Sequence, residues 1–200
     1  MSPIAHLVGS WLVASVVTDN PRDRKLVTLA GVLPDVDGLG VVVDVINSMI
    51  CDKENTYHYY QQYHHILLHG WPGAIVVSLL LMCFAQKKPR VLFWCLVTFH
   101  LHLLCDLLGS RGPTVGDLWP ICYSEPIFRH PVWFWKGQWK LDGWQNQTIF
   151  IVLFVTSLWL AVRRGYCFFE VINQRLDSVF VKVLQKWHHN LRGGKDQSPR

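Results

Sequence analysis

Charged side chains are scarce: they make up only 16% of the 200 residues, while half of the chain is hydrophobic. Soluble domains usually carry about a quarter charged residues, so the shortage argues against a water-exposed surface throughout and for a membrane protein. The mean hydropathy of +0.20 is nevertheless below that of a bare bundle of spanning helices, so a polar part must exist as well. The six cysteines include no C-x-x-C spacing, which excludes a zinc knuckle. Cys83, Cys95 and Cys105 lie in apolar runs, where Cys acts as a small hydrophobe. Cys51 and Cys122 lie in polar loops and can pair in an oxidising compartment. No single basic stripe is present to match the net charge of +5, so no nucleic-acid partner is expected. The first residues, MSPIAHLVGSWLVASVV, lack the basic leader and clear cleavage site of a signal peptide and are read as part of the mature protein. Internal repeats and low-complexity runs are also missing.

What the chain does have is apolar segments, at 3–17, 26–50 with a break around Pro34, 66–85, 91–108 and 148–162. The third, fourth and fifth have about the length that crosses a bilayer; the first is short and the second interrupted. Residues 38–50 read as interfacial or packed within the bundle. The turns at 20–25 (NPRDRK) and 86–90 (QKKPR), with Arg163 and Arg164, are the basic ends, which the excess of cations on the inner side assigns to the cytoplasm.

That assignment has a geometric consequence. If 86–90 is the tip of a helical hairpin, His69 is level with about residue 107, next to Asp106. The first hairpin sets His6 level with about residue 37, beside Asp35 and Asp37 of LPDVD. His102 and Asp106 are one turn apart and about 40° apart in azimuth, so they share a face, while His100 points away. Two hairpins thus deliver their ionisable residues to the non-cytoplasmic end. Such groups in an apolar setting cost several kcal/mol unless paired, which asks for a shared partner.

The candidate ligands are His6, Asp35, Asp37, His64 or His65, His69, His102 and Asp106. Imidazole and carboxylate without thiolate suit a divalent ion, zinc first and manganese second. Seven candidates exceed one tetrahedral zinc, so either two ions are bound or some residues orient the others. His64 and His65 are not separated by spacing: His65 shares a helical face with His69, and His64 suits a less regular backbone. A centre of this type suits phosphoester hydrolysis by a metal-activated water, with Asp35, Asp37 or Asp106 accepting its proton.

Further along, residues 114–144 hold five of the ten tryptophans, which favour the headgroup level, and read as a surface loop roofing the site. The segment 166–192 repeats apolar residues at helical spacing beside Arg175, Lys182 and Lys186, the pattern of a helix lying on the anionic inner leaflet or packing on the bundle. His188 and His189 at its far end are excluded from the site. The domain division expected is a membrane-embedded part, 1–165, and a basic amphipathic helix and tail, 166–200.

The pieces His6, LPDVD at 33–37, HHILLHG at 64–70, HLLCD at 102–106 and LWP at 118–120 resemble the signature of the predicted membrane-bound metal-dependent hydrolases. This bacterial and archaeal inner-membrane family includes a LexA-regulated member. The resemblance covers about residues 1–120 and implies that His64, rather than His65, pairs with His69. His65, Leu68 and Gly70 stand where the pattern has Arg, Thr and Ser. A fainter similarity, to zinc-dependent phospholipase C and P1-type nucleases, favours phosphoester chemistry. Together these imply an all-α, multi-pass inner-membrane bundle with its site facing the periplasm or outside and its C-terminus in the cytoplasm. The activity implied is hydrolysis of a lipid or lipid-linked phosphoester. The rival expectation is a non-catalytic inner-membrane protein whose metal is a structural clamp, serving as a stress-response or interaction factor. A transporter is disfavoured, because the ligands gather at one end rather than at mid-depth.

Overall fold

Ser2 starts the first helix, α1 (Pro3–Val17): its side chain accepts from the Ala5 amide, and Pro3 takes a position where a missing N–H costs nothing. The structure, a computed structural model, describes residues 1–51, 58–59, 68–128 and 130–193. After α1 come α2 (Pro21–Ala30), a 3-10 turn (Leu33–Leu39), α3 (Gly40–Cys51), α4 (Trp71–Cys83) and α5 (Lys88–Gly109). They are followed by α6 (Trp144–Arg164), a second 3-10 turn (Phe168–Val171) and α7 (Gln174–Gly193). The strand structure among the described residues is one small antiparallel ribbon, β1 (Ile121–Cys122) with β2 (Val132–Trp133), in which Ile121 faces Trp133. The fold is all-α, as expected.

Two compact units make up the chain, Met1–Gln147 and Thr148–Arg200. In the first, the α1/α2 and α4/α5 hairpins carry their turns at the same end. Asn20 caps α2 and its amide donates to Gln86 Oε1 at 2.8 Å. Asp23, fully buried, accepts from the amides of Gln86 (2.8 Å) and Lys87 (3.1 Å). One carboxylate therefore ties the two hairpin tips together; residues 21–25 and 88–90, expected as turns, are the first turns of α2 and α5. Buried Arg24 donates to the carbonyls of Thr18 and Asp19, which satisfies part of its guanidinium.

Between the turns and the other end the helices pack through small side chains. Ala14, Ala30 and Cys95 are fully buried, and Thr98 donates to the Val27 carbonyl at 2.9 Å. Gly31 is the tightest point: a Cβ there would lie 1.9 Å from Ser10 Oγ and 3.3 Å from Thr98 Cβ. In a bilayer, apolar burial alone does not drive helices together, so close approach through small residues matters more.

Among the described residues two helices, α5 with 22 residues and α6 with 21, are long and apolar enough to cross a membrane. A third span results if α2 and the segment after it, bent by 51°, count as one. The break expected at Pro34 is this bend. The segment 66–85 is shorter than expected, since its described helix, α4, has 13 residues. The cause is Gly70, whose extended backbone stops the helix where the loop crosses: a Cβ there would lie 2.5 Å from the Tyr123 carbonyl oxygen.

The second unit begins at Thr148, ahead of the expected division at residue 165. Most of the last apolar helix groups with the C-terminal helix: Gln185 donates to the Val162 carbonyl (3.1 Å), Asp177 accepts from the Cys167 amide (2.8 Å), and Phe154 meets Phe168. Ile172, two residues before α7, and Leu176, Val179, Val183, Trp187 and Leu191 on the helix form an exposed stripe at three- and four-residue steps. Val181 and Asp177, on the opposite face, are buried. Among the described residues Cys122 is a free thiol, and the side chain of Cys51 lies outside them.

Candidate metal centre

Three pieces of local structure aim side chains at one point. The 3-10 turn after Pro34 presents Asp35 and Asp37, the irregular backbone before Gly70 presents His69, and the last turns of α5 present His102 and Asp106. One ligand atom from each of Asp35, His69, His102 and Asp106 lies within 4.8 Å of every other. Asp106 Oδ2 is 3.0 Å from His102 Nε2 and 3.8 Å from His69 Nε2, and His102 Nε2 is 3.6 Å from Asp35 Oδ1. Ligands about 2.0–2.1 Å from a tetrahedral ion stand roughly 3.4 Å apart, inside this range.

The imidazoles are held from behind. His102 Nδ1 is 3.0 Å from the Gly31 carbonyl oxygen, an arrangement that requires Nδ1–H to donate and leaves the Nε2 lone pair facing the site. His69 Nδ1 is 3.0 Å from Asp37 Oδ2, which also accepts from the Leu68 amide at 3.3 Å. Metal-binding histidines ordinarily carry such a carbonyl or carboxylate on the second nitrogen.

Two buried atoms test the fit. Asp35 Oδ2 and His102 Nε2 make no hydrogen bond of acceptable geometry among the described residues. With Nε2 deprotonated, its lone pair facing carboxylate oxygens at 3.0–3.6 Å is repulsive, and either a proton on Nε2 or a metal cation between the groups relieves it. Two imidazoles and two carboxylates are the donors that zinc or manganese accepts. The residues fit such an ion.

Asp106 serves two neighbourhoods. Its Oδ2 faces His69 and His102, while Oδ1 accepts from Ser110 Oγ (3.0 Å), lies 3.2 Å from His6 Nε2 and contacts the Met1 amino group. The His6 ring stacks on His102 at 3.8 Å. His6 and Asp37 thus border the quartet without joining it. His64 and His65 lie outside the described residues. His100 points away, as expected: Nδ1 donates to the Leu96 carbonyl (2.8 Å), and Nε2 takes the Tyr123 hydroxyl (2.7 Å). His58 stacks edge-on to Tyr59.

The quartet opens on a cleft of about 840 Å³ whose lining includes Asp35, Asp106, Ser110, Arg111, Trp119 and Leu141. The Asp35 side chain is 19% exposed and the two imidazoles 0%, so access runs past Asp35. Sequence reasoning missed Gln138, which is 3% exposed and holds the cleft wall in place. Its amide donates to the carbonyls of Asp106, Leu107 and Trp119 and accepts from the Trp119 amide. No periodicity marks an amide within an aromatic loop. Gly31 and Ser110 were also missed, because a single Gly or Ser has no signature. The Trp-rich region divides: Trp119 lines the cleft, whereas Trp133 and Trp144 are more than half exposed.

A family model described as YdjM inner membrane protein matches residues 1–167. No curated protein and no solved structure matches the chain.

Proposed function

From the chain's membership of the YdjM inner membrane protein family, we propose a multi-pass inner-membrane hydrolase that uses a divalent metal to cleave a phosphoester of a lipid or lipid-linked substrate. The observation that carries this reading is the convergence of Asp35, His69, His102 and Asp106, from three stretches of chain, at the edge of a cleft. Zinc is the leading ion and manganese the second.

When bound, the ion supplies Lewis acidity toward a phosphoryl oxygen and makes a water more acidic. The protein does the rest. Asp37 and the Gly31 carbonyl orient the two imidazoles, and Asp106 is fixed by Ser110 and His6. Asp35 faces the cleft with Oδ2 unengaged, which suits it to accept a proton from the attacking water. The cationic segments 20–25, at the start of α2, and 86–90, at the start of α5, lie at the opposite end of the first unit, which supports a site facing the periplasm or outside. The exposed stripe of α7, flanked by Arg175, Lys182 and Lys186, supports a helix lying on the cytoplasmic leaflet.

Elemental analysis of protein purified without added metal, with turnover of a phosphodiester reporter, tests the reading. Bound zinc or manganese, lost in His69→Ala and Asp106→Ala together with turnover, is the expected result. Bound metal without turnover, and unfolding on chelation, would instead identify a structural clamp.

A further inference from the structure

One charged group in the cleft has no role in the centre just described. Arg111 follows α5, and its backbone is pinned: its amide donates to the Trp139 carbonyl (3.2 Å), and its own carbonyl accepts from Leu141 (3.0 Å). The side chain lines the cleft that holds Asp35 and Asp106. Its Nε is buried and makes no hydrogen bond among the described residues. Among the described residues Nη1 reaches only the Thr114 carbonyl, at a long 3.4 Å.

Asp117 is near enough to feel this charge, but it is engaged elsewhere. Its carboxylate accepts from the Thr114 amide at 2.9 Å, and among the described residues it forms no ion pair with Arg111. The Asp117 carboxyl is held below its usual range mainly by hydrogen bonding to Thr114 and, to a smaller degree, by the Arg111 charge. Among the described residues that line the cleft, Arg111 carries the one cationic side chain; the Met1 amino group, also there, is engaged by Asp106 and Ser110. The walls beside it, Leu39, Val41, Leu118 and Trp119, are mostly apolar.

We propose that Arg111 is the anion-binding residue of this cleft and that its ligand is a phosphorylated amphiphile. The phosphate takes guanidinium N–H donors, the unpartnered Nε–H among them, and the apolar tail lies along the wall. A guanidinium presents paired donors that match phosphate oxygens, and its charge persists at any working pH. A neutral lipid with the same chains has nothing to offer it. The assignment rests on the phosphoester reading for the reaction, but it is testable apart from turnover.

The test is calorimetric binding to the full-length, zinc-supplemented protein in detergent, with three probes: dihexanoyl phosphatidate, dihexanoylglycerol and inorganic phosphate. Arg111→Gln is expected to weaken phosphatidate binding by about tenfold to a hundredfold, as loss of a charged hydrogen bond does, and to leave dihexanoylglycerol unchanged. Arg111→Lys, which keeps the charge without the fork, is expected to recover part of the loss. Unchanged metal content and melting temperature show that the variants are folded. Phosphatidate binding that is equal in wild type and Arg111→Gln overturns the proposal, and inorganic phosphate binding as tightly as phosphatidate overturns its amphiphile part. If the wild type turns over no phosphoester yet binds phosphatidate through Arg111, the hydrolase fails and the anion site stands. If turnover occurs and Arg111→Gln alters neither affinity nor KM, the anion site fails and the hydrolase stands.

Discussion

The carboxylate of Asp37 stands 3.0 Å from Nδ1 of His69, 32 positions along the chain. It joins the 3-10 turn after Pro34 to the irregular backbone that starts α4, and it turns Nε2 of His69 toward Asp106. Two elements that sequence separates by a long stretch are thereby fixed in one geometry.

For that reason Asp37→Asn should weaken metal binding without abolishing it. Loss of an orienting carboxylate behind a ligating histidine typically costs about tenfold to a hundredfold in affinity. Competition of the purified protein against a zinc-chelating dye measures it. An unchanged affinity would remove Asp37 from the site, and complete loss of stoichiometric metal would make it a direct ligand.

Gly31 gives a prediction that couples packing to chemistry. Gly31→Ala puts a Cβ 1.9 Å from Ser10 Oγ, so α1 and α2 must part and the carbonyl that holds His102 must shift. Overpacking of this kind costs about 1–3 kcal/mol. The melting temperature and metal affinity should fall together, and Ser10→Gly in the same chain should restore much of both. A Gly31→Ala protein that melts like the parent would contradict the packing described.

At the other end, Asp23→Ala should destabilise the fold while sparing the metal. Its carboxylate is the acceptor for the Gln86 and Lys87 amides, and leaving such donors unmet costs about 1–3 kcal/mol. The expected outcome is a lower melting temperature in detergent with undiminished metal per chain. Metal loss without a change in melting would show that the two ends are not independent.

The exposed stripe of α7 predicts a depth pattern. Nitroxides on Leu176→Cys, Val179→Cys and Val183→Cys in the full chain, reconstituted in nanodiscs with anionic lipid, should collide more with oxygen than with a water-soluble nickel complex. Ser178→Cys, exposed on another face, should show the reverse. Equal water exposure at all four positions would argue against a helix lying on the bilayer.

Much of this architecture could be read from the residues. The basic segments marked the hairpin tips, and equal distance from those tips placed His69 beside Asp106. The i,i+4 spacing placed His102 with Asp106 and turned His100 away. Not legible were the shortness of α4, the grouping of α6 with α7, and the roles of Gln138 and Arg111. Each depends on a neighbour distant in the chain, such as the Tyr123 carbonyl against Gly70 or the Trp119 backbone against Gln138.

By itself, then, the sequence determined helix periodicity, the ends of the hairpins and the chemical type of the donor set. These follow from local conformational preference and from the cost of leaving ionisable groups unpaired in an apolar setting. Tertiary structure alone decided which carboxylates face the centre and which stand behind it, because Asp35 and Asp37, two residues apart in one turn, differ only in what packs against them. It alone also decided that Arg111 lines the same cleft with an unmet N–H, since hydrogen-bond satisfaction belongs to the folded surroundings and leaves no trace in residue order.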